Sequence, residues 1–203
     1  MPHRADVQFH LHLASRPLGP APSLPPPLAL PRIVKLPIRP VGPNQLPSPR
    51  VSLEQKCRIG GVAVAWAALE NSINDLIWII GGKELASARL DTQNLDITKL
   101  LSALQTAVST KLPGDALKSE RQAITNLIQF VSRTKDERNL VIHGSWGELD
   151  GIPVAGSLRS PTDDPSLVTF EDFPQSRMES IERYAKDAVR NVVAIIVRLE
   201  SLR

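Results

Sequence analysis

Arg138 and His143 are the residues of this chain whose types and spacing best suit phosphate chemistry. They stand in the run Arg138-Asn139-Leu140-Val141-Ile142-His143-Gly144. Arginine carries a permanent charge on a planar fork of donors that matches phosphate oxygens, and histidine exchanges a proton near neutral pH. Cleavage of RNA can use the neighbouring 2′-hydroxyl as nucleophile, so a protein needs only proton transfer and stabilisation of charge on phosphorus. His143 would be the general base or acid and Arg138 the phosphate clamp, with no metal and no cofactor required.

Regular helix geometry opposes this pairing, because five residues rotate by about 500° and leave the two side chains about 140° apart. Two arrangements would overcome it. Gly144, just past the helix, could take a left-handed conformation and open the last turn. Alternatively, motifs from two chains could face one shared cleft. The structural alternative pairs Arg138 with a bundle carboxylate and leaves His143 capping the helix carbonyls, where positive charge suits the dipole.

Supporting residues follow from position. Asn139 lies four residues before His143 and shares its face, placed to orient the imidazole, to bind a phosphate oxygen, or to remain a solvated polar group. Glu70, on the flank of the first helix's apolar stripe, is a partner for Arg138 or a surface glutamate. Trp78 points away from the apolar seam and reads as an interface residue unless a loop covers it. Trp146 either stacks a base or packs at the root of a hairpin. Cys57 has no histidine near it in sequence and reads as non-catalytic; His10-x-His12 reads as incidental rather than metal-binding.

An arginine, a polar residue, three apolar residues and a histidine resemble the motif of the HEPN superfamily (higher eukaryotes and prokaryotes nucleotide-binding domains). The likeness extends more weakly to the order of elements from Ser52 onward, including Trp66 to Glu70. It implies a metal-independent endoribonuclease, a toxin or an RNA-processing or defence protein, with Arg138 and His143 catalytic and Asn139 and Glu70 supporting. It also implies RNA or nucleotide as ligand, a homodimer as the active unit and an antitoxin as partner. Some members have lost catalysis, so the alternative is a non-catalytic module binding nucleotide, RNA or protein. One branch carries a tyrosine two residues after the histidine, where this chain has Ser145.

The elements that must hold these residues are legible from periodicity. Residues 1–50 carry 13 of the 18 prolines and six Lys/Arg against one acid, leaving 18 basic and 20 acidic residues in 51–203. The first segment reads as a disordered, basic, proline-rich tail, and the near-neutral remainder as the folded domain. Any phosphate affinity must therefore be local. Ser52-x-x-Gln55 reads as a capping box opening a helix that ends at Gly81-Gly82. A second helix spans Asp96 to Lys111, and a third runs from near Asp115 to His143, with Leu117, Ile124, Val131 and then Arg138 every seven residues. A fourth opens at the capping box Ser176-x-x-Glu179. Asp150-Gly151 reads as a hairpin turn between Ser145–Leu149 and Ile152–Leu158, Pro153 suggests an edge strand, and Val168–Phe170 adds a short strand.

The expected fold is all-α, an up-and-down four-helix bundle with a small β insertion at about 145–173 between the last two helices. One cysteine, no secretory signal and no spanning apolar stretch point to a non-membrane, cytoplasmic protein.

Overall fold

The computed structural model describes residues 22–29, 38–41, 47–82, 87, 92, 94–157 and 168–202. Its architecture is an all-α four-helix bundle with a β-hairpin inserted between the last two helices. The helices are α1 (Leu53–Gly81), α2 (Ile97–Lys111), α3 (Lys118–His143) and α4 (Gln175–Glu200). The strands are β1 (Ile38–Val41), β2 (Ser145–Leu149), β3 (Ile152–Ser157) and β4 (Val168–Asp172).

Both halves of the first capping box form: Ser52 Oγ accepts from the Gln55 N–H at 3.1 Å, and Gln55 Oε1 accepts from the Ser52 N–H at 2.7 Å. The helix then buries Val62, Trp66, Leu69, Ile73, Leu76 and Ile80, alternating steps of four and three. Gly82, at φ +60°, closes it with the left-handed residue that side chains resist. At α2, Asp96 accepts the Lys99 N–H at 2.9 Å, a bond that holds its carboxyl below the ordinary aspartate value.

Two helix starts differ from the expected ones. α3 begins at Lys118 after Leu117, without a side-chain cap. Ser176 lies inside the first turn of α4, whose N-cap is Pro174, and Glu179 bonds Arg58 and Gln175 instead of completing a box. The buried Phe173 carries the chain directly from β4 into the helix and so advances its start.

Helix directions are fixed by cross-bundle pairs. α3 opposes α4, with Glu120 on Arg198 and Glu137 on Arg177, and α2 opposes α3, with Lys135 on Thr98 and Arg121 on the Leu112 carbonyl. α1 and α4 run in the same direction, since Arg58 meets Glu179 and Gly61 meets Glu182. Strict alternation would oppose them. Thr92, in the connection to α2, lies beside Trp78 near the C-terminal end of α1, so α2 begins within about 16 Å of that end.

The hairpin extends into a four-stranded antiparallel sheet ordered β1-β4-β3-β2. Asp150 (φ 52°) and Gly151 (φ 77°) both take the positive φ that a two-residue hairpin turn requires. Pro153 is not on an edge strand: β3 lies between β2 and β4. It is tolerated at the end of the β3–β4 ladder: its carbonyl accepts the Phe173 N–H at 2.8 Å just beyond the last pair, Val154–Asp172, and only the reciprocal N–H bond is lost.

Two stretches of the proline-rich segment are attached to the fold, contrary to its reading as a tail. Leu24 and Leu28 pack against the core, while the Pro26 and Pro22 carbonyls accept from Asn191 and Arg198, each at 3.4 Å. Extended proline-rich chain forms no internal hydrogen bonds, so its carbonyls remain available to such side chains. β1, with Pro40, pairs with β4 at the sheet edge, where proline is tolerated. Residues 1–21, 30–37 and 42–46, with His3, His10 and His12, lie outside the described residues.

Two stability predictions follow from this packing. A chain beginning at Arg50 is expected to lose about 2 kcal/mol from the half-buried Leu24 and Leu28 contacts and the β1 ladder, or roughly 4–8 °C in thermal midpoint. Identical melting of the two chains would show that neither stretch contributes. The second concerns Glu120, 1 % exposed and bonded by Arg198 at 3.0 Å and Ser119 at 2.8 Å. Burial pushes its carboxyl up, but the bonds from Arg198 and then Ser119 more than offset this and hold it below the ordinary 4.5. Its stabilisation is therefore complete above pH 4.5 and fades as pH falls through the lower folded value. Glu120→Gln should be less stable at pH 7 and show a flatter acid limb in urea titrations; parallel curves would remove Glu120 from the acid response.

Candidate functional site

Arg138 and His143 meet within one chain. The Arg138 Nη1 lies 3.4 Å from His143 Nε2 and donates to Asn139 Oδ1 at 3.0 Å, while Nη2 donates to Glu70 Oε1 at 3.3 Å. The angular objection fails because the arginine side chain is long: five residues rise only about 7.5 Å along the axis. Gly144 does not open the helix. It is extended, at φ −72° and ψ 153°, and its N–H closes the last turn on the Leu140 carbonyl at 3.0 Å. Its lack of a side chain matters sterically, since a Cβ would strike that same carbonyl oxygen.

A guanidinium only donates, so this contact is a hydrogen bond in the imidazole tautomer whose Nε2 is the acceptor. Asn139 bonds Arg138 rather than the imidazole, so its amide orients the arginine. Glu70 is the carboxylate partner of Arg138, at side-chain exposures of 32 % and 18 %. This ion pair does not satisfy the arginine fully, because Nε is buried without a hydrogen-bond partner. His143 and Asn139 are exposed.

These groups stand on the wall of a solvent-open cleft of about 930 Å³. Its floor and rim include Ile97, Thr98 and Leu140. Among the described residues, four carboxylates, Glu70, Asp96, Asp136 and Glu171, line it against two cations, Lys99 and Arg138. Among the described residues no group of three or more His, Cys, Asp or Glu is placed to hold a metal ion.

Arg177, Glu137 and Glu171 are the residues that sequence reasoning missed. Arg177 donates to both oxygens of Glu137 at 2.7 and 2.8 Å, to Glu171 at 2.9 Å and to the Asp172 carbonyl at 3.2 Å, with its guanidinium carbon 4.3 Å from the Phe173 ring centroid. Burial alone would pull its pKa down; the bonds and charge of Glu137, then Glu171, raise it above the ordinary arginine value. These partners lie up to 40 residues apart in sequence, and no local pattern links them.

Both tryptophans read as interface or base-stacking residues are engaged in packing. The Trp78 indole N–H donates to Thr92 at 3.0 Å, so the α1–α2 connection covers it. Trp146 donates to the Val141 carbonyl at 2.9 Å and meets Phe173 edge-on at 5.0 Å, tying β2 to α3 and α4. Cys57 is exposed. Among the described residues no helix is long and apolar enough to cross a membrane.

Because Arg177 and Glu137 are largely buried, at 12 % and 16 % exposure, Arg177→Ala should destabilise by about 3 kcal/mol by leaving Glu137 uncompensated. A double-mutant cycle with Glu137→Ala, read by chemical denaturation, should give a coupling above about 1 kcal/mol; additive losses would show that the two do not act as a pair. Compared with known proteins, the chain matches no family model, no curated protein and no solved structure, so a functional reading rests on its own residues and geometry.

Proposed function

We propose that the protein is a metal-independent endoribonuclease of HEPN type, with Arg138 and His143 as its catalytic pair. The observation that carries this reading is the 3.4 Å approach of Arg138 to His143 on the wall of an open cleft. An RNA phosphodiester entering the cleft would take the Arg138 donors now shared among Glu70, Asn139 and His143. That exchange releases the Nε2 lone pair of His143 to accept the proton of the 2′-hydroxyl. The 2′-oxygen then bonds phosphorus, the bond to the 5′-oxygen breaks, and that oxygen is protonated by solvent. Arg138 offsets the charge gathering on the phosphoryl oxygens. The products are a 2′,3′-cyclic phosphate and a 5′-hydroxyl.

A cytoplasmic setting, a homodimer as active unit and a neutralising antitoxin belong to the same proposal. The dimer is not required to bring the two catalytic groups together. A non-catalytic binding module is the second reading, favoured by the carboxylates around the cleft, which oppose a polyanion.

Purified full-length protein incubated with mixed RNA in excess chelator should generate cyclic phosphate ends. His143→Ala and Arg138→Ala should each slow cutting by roughly 10²–10⁴-fold. Cutting that needs magnesium, or that survives both substitutions, would sink the mechanism. Mixtures of the two inactive variants should stay inactive, because each chain supplies both groups; restored cutting would place the pair across a dimer interface.

A further inference from the structure

We infer that the cleft grips one phosphodiester at a time and selects neighbouring bases that carry an exocyclic amine, cytosine, adenine or guanine, over uracil. This inference rests on the reading of the cleft as an RNA site. Its basis is the charge distribution around Arg138. The carboxylates come from four different places, Glu70 from α1, Asp96 from the cap of α2, Asp136 from α3 and Glu171 from β4, so more than one wall of the cleft that holds the arginine carries a carboxylate.

A groove that tracks an RNA backbone presents a cation to each successive phosphate. Here Arg138 is the cation beside the imidazole; Lys99 already faces Asp96 at 3.6 Å, and Lys135 reaches the cleft at Thr98, to which it donates at 3.3 Å. One phosphate can displace Glu70 from Arg138, whose contact is 3.3 Å and only partly buried. The phosphates on either side of it would face carboxylates. Nucleotide binding therefore favours a base, rather than a second phosphate, against these acidic walls.

Carboxylates also dictate which bases fit. An ionised carboxylate accepts up to about four hydrogen bonds, so Glu70, Asp96 and Glu171 keep unused acceptor positions beside their present partners. Asp136 is exposed on the cleft rim. The amine of cytosine is a recognised donor to acidic side chains, and adenine and guanine also carry one. Uracil presents a carbonyl oxygen at the position of the cytosine amine, and its one ring donor, N3–H, lies between two carbonyl oxygens that oppose a carboxylate.

The test is fluorescence anisotropy of the full-length protein with 2′-O-methyl hexamers of cytidine and uridine, which resist cleavage because the nucleophile is blocked. The cytidine hexamer should bind at least fivefold more tightly. Its log K should fall against log salt with a slope near −0.7, the value for one neutralised phosphate on a single strand. Asp136→Asn should narrow the preference between the hexamers while leaving that slope unchanged. A slope of −2 or steeper, or equal affinity for the two hexamers, would overturn the inference. If neither hexamer binds although the protein cuts RNA, the inference fails and the ribonuclease stands. Selective binding without any cutting would leave the inference in place and remove the ribonuclease.

Discussion

The guanidinium of Arg177 is the constraint on which the site depends. A largely buried cation must spend its donors on acceptors, and Arg177 spends them on Glu137 of α3, Glu171 and the Asp172 carbonyl of β4, from the first turn of α4. Three elements are thereby held at one point. Glu137 immediately precedes Arg138, and successive helix residues differ by about 100° in direction. Fixing Glu137 toward α4 therefore turns Arg138 toward α1, where Glu70 receives it. Phe173 closes the arrangement by placing its ring against both the Arg177 guanidinium and Trp146.

The cleft above this point is acidic around its arginine rather than basic. Arg138 divides its donors among a carboxylate, an amide and an imidazole, and no one of these contacts is short. Each is of a kind that a phosphate oxygen replaces with a stronger, charge-assisted bond. The surrounding carboxylates limit that attraction to the immediate neighbourhood of the arginine. Net charge over the folded domain, close to neutral, thus gives no guide to the site, while the local distribution does.

The sheet serves this site as a wall and an anchor. Helix α3 passes into β2 at Gly144 with no intervening loop, so the sheet inherits the orientation of the helix that carries the motif. Trp146 returns a hydrogen bond to Val141 and holds the joint. On the far edge, β1 covers β4 and adds Val41 to a small second core with Val154 and Phe170. A segment dense in proline thus contributes to the fold through an edge position and side-chain packing, without a central strand or helix.

The helices, their capping at Ser52 and Asp96 and the Asp150-Gly151 turn are determined by the sequence, because each depends on residues a few positions apart. Arg138 stood out in the same way, as a charge on the heptad line of Ile124 and Val131. Tertiary structure decided the remainder. It set the shared direction of α1 and α4, placed β3 inside the sheet despite Pro153, covered Trp78 and attached the proline-rich segment. It also assigned Asn139 to the arginine and brought Glu70, Glu137, Glu171 and Arg177 to one end of the bundle. The physical reason is range: periodicity and turn chemistry act over single helical turns, whereas the partner of a buried charge is chosen by the packing of elements distant in sequence.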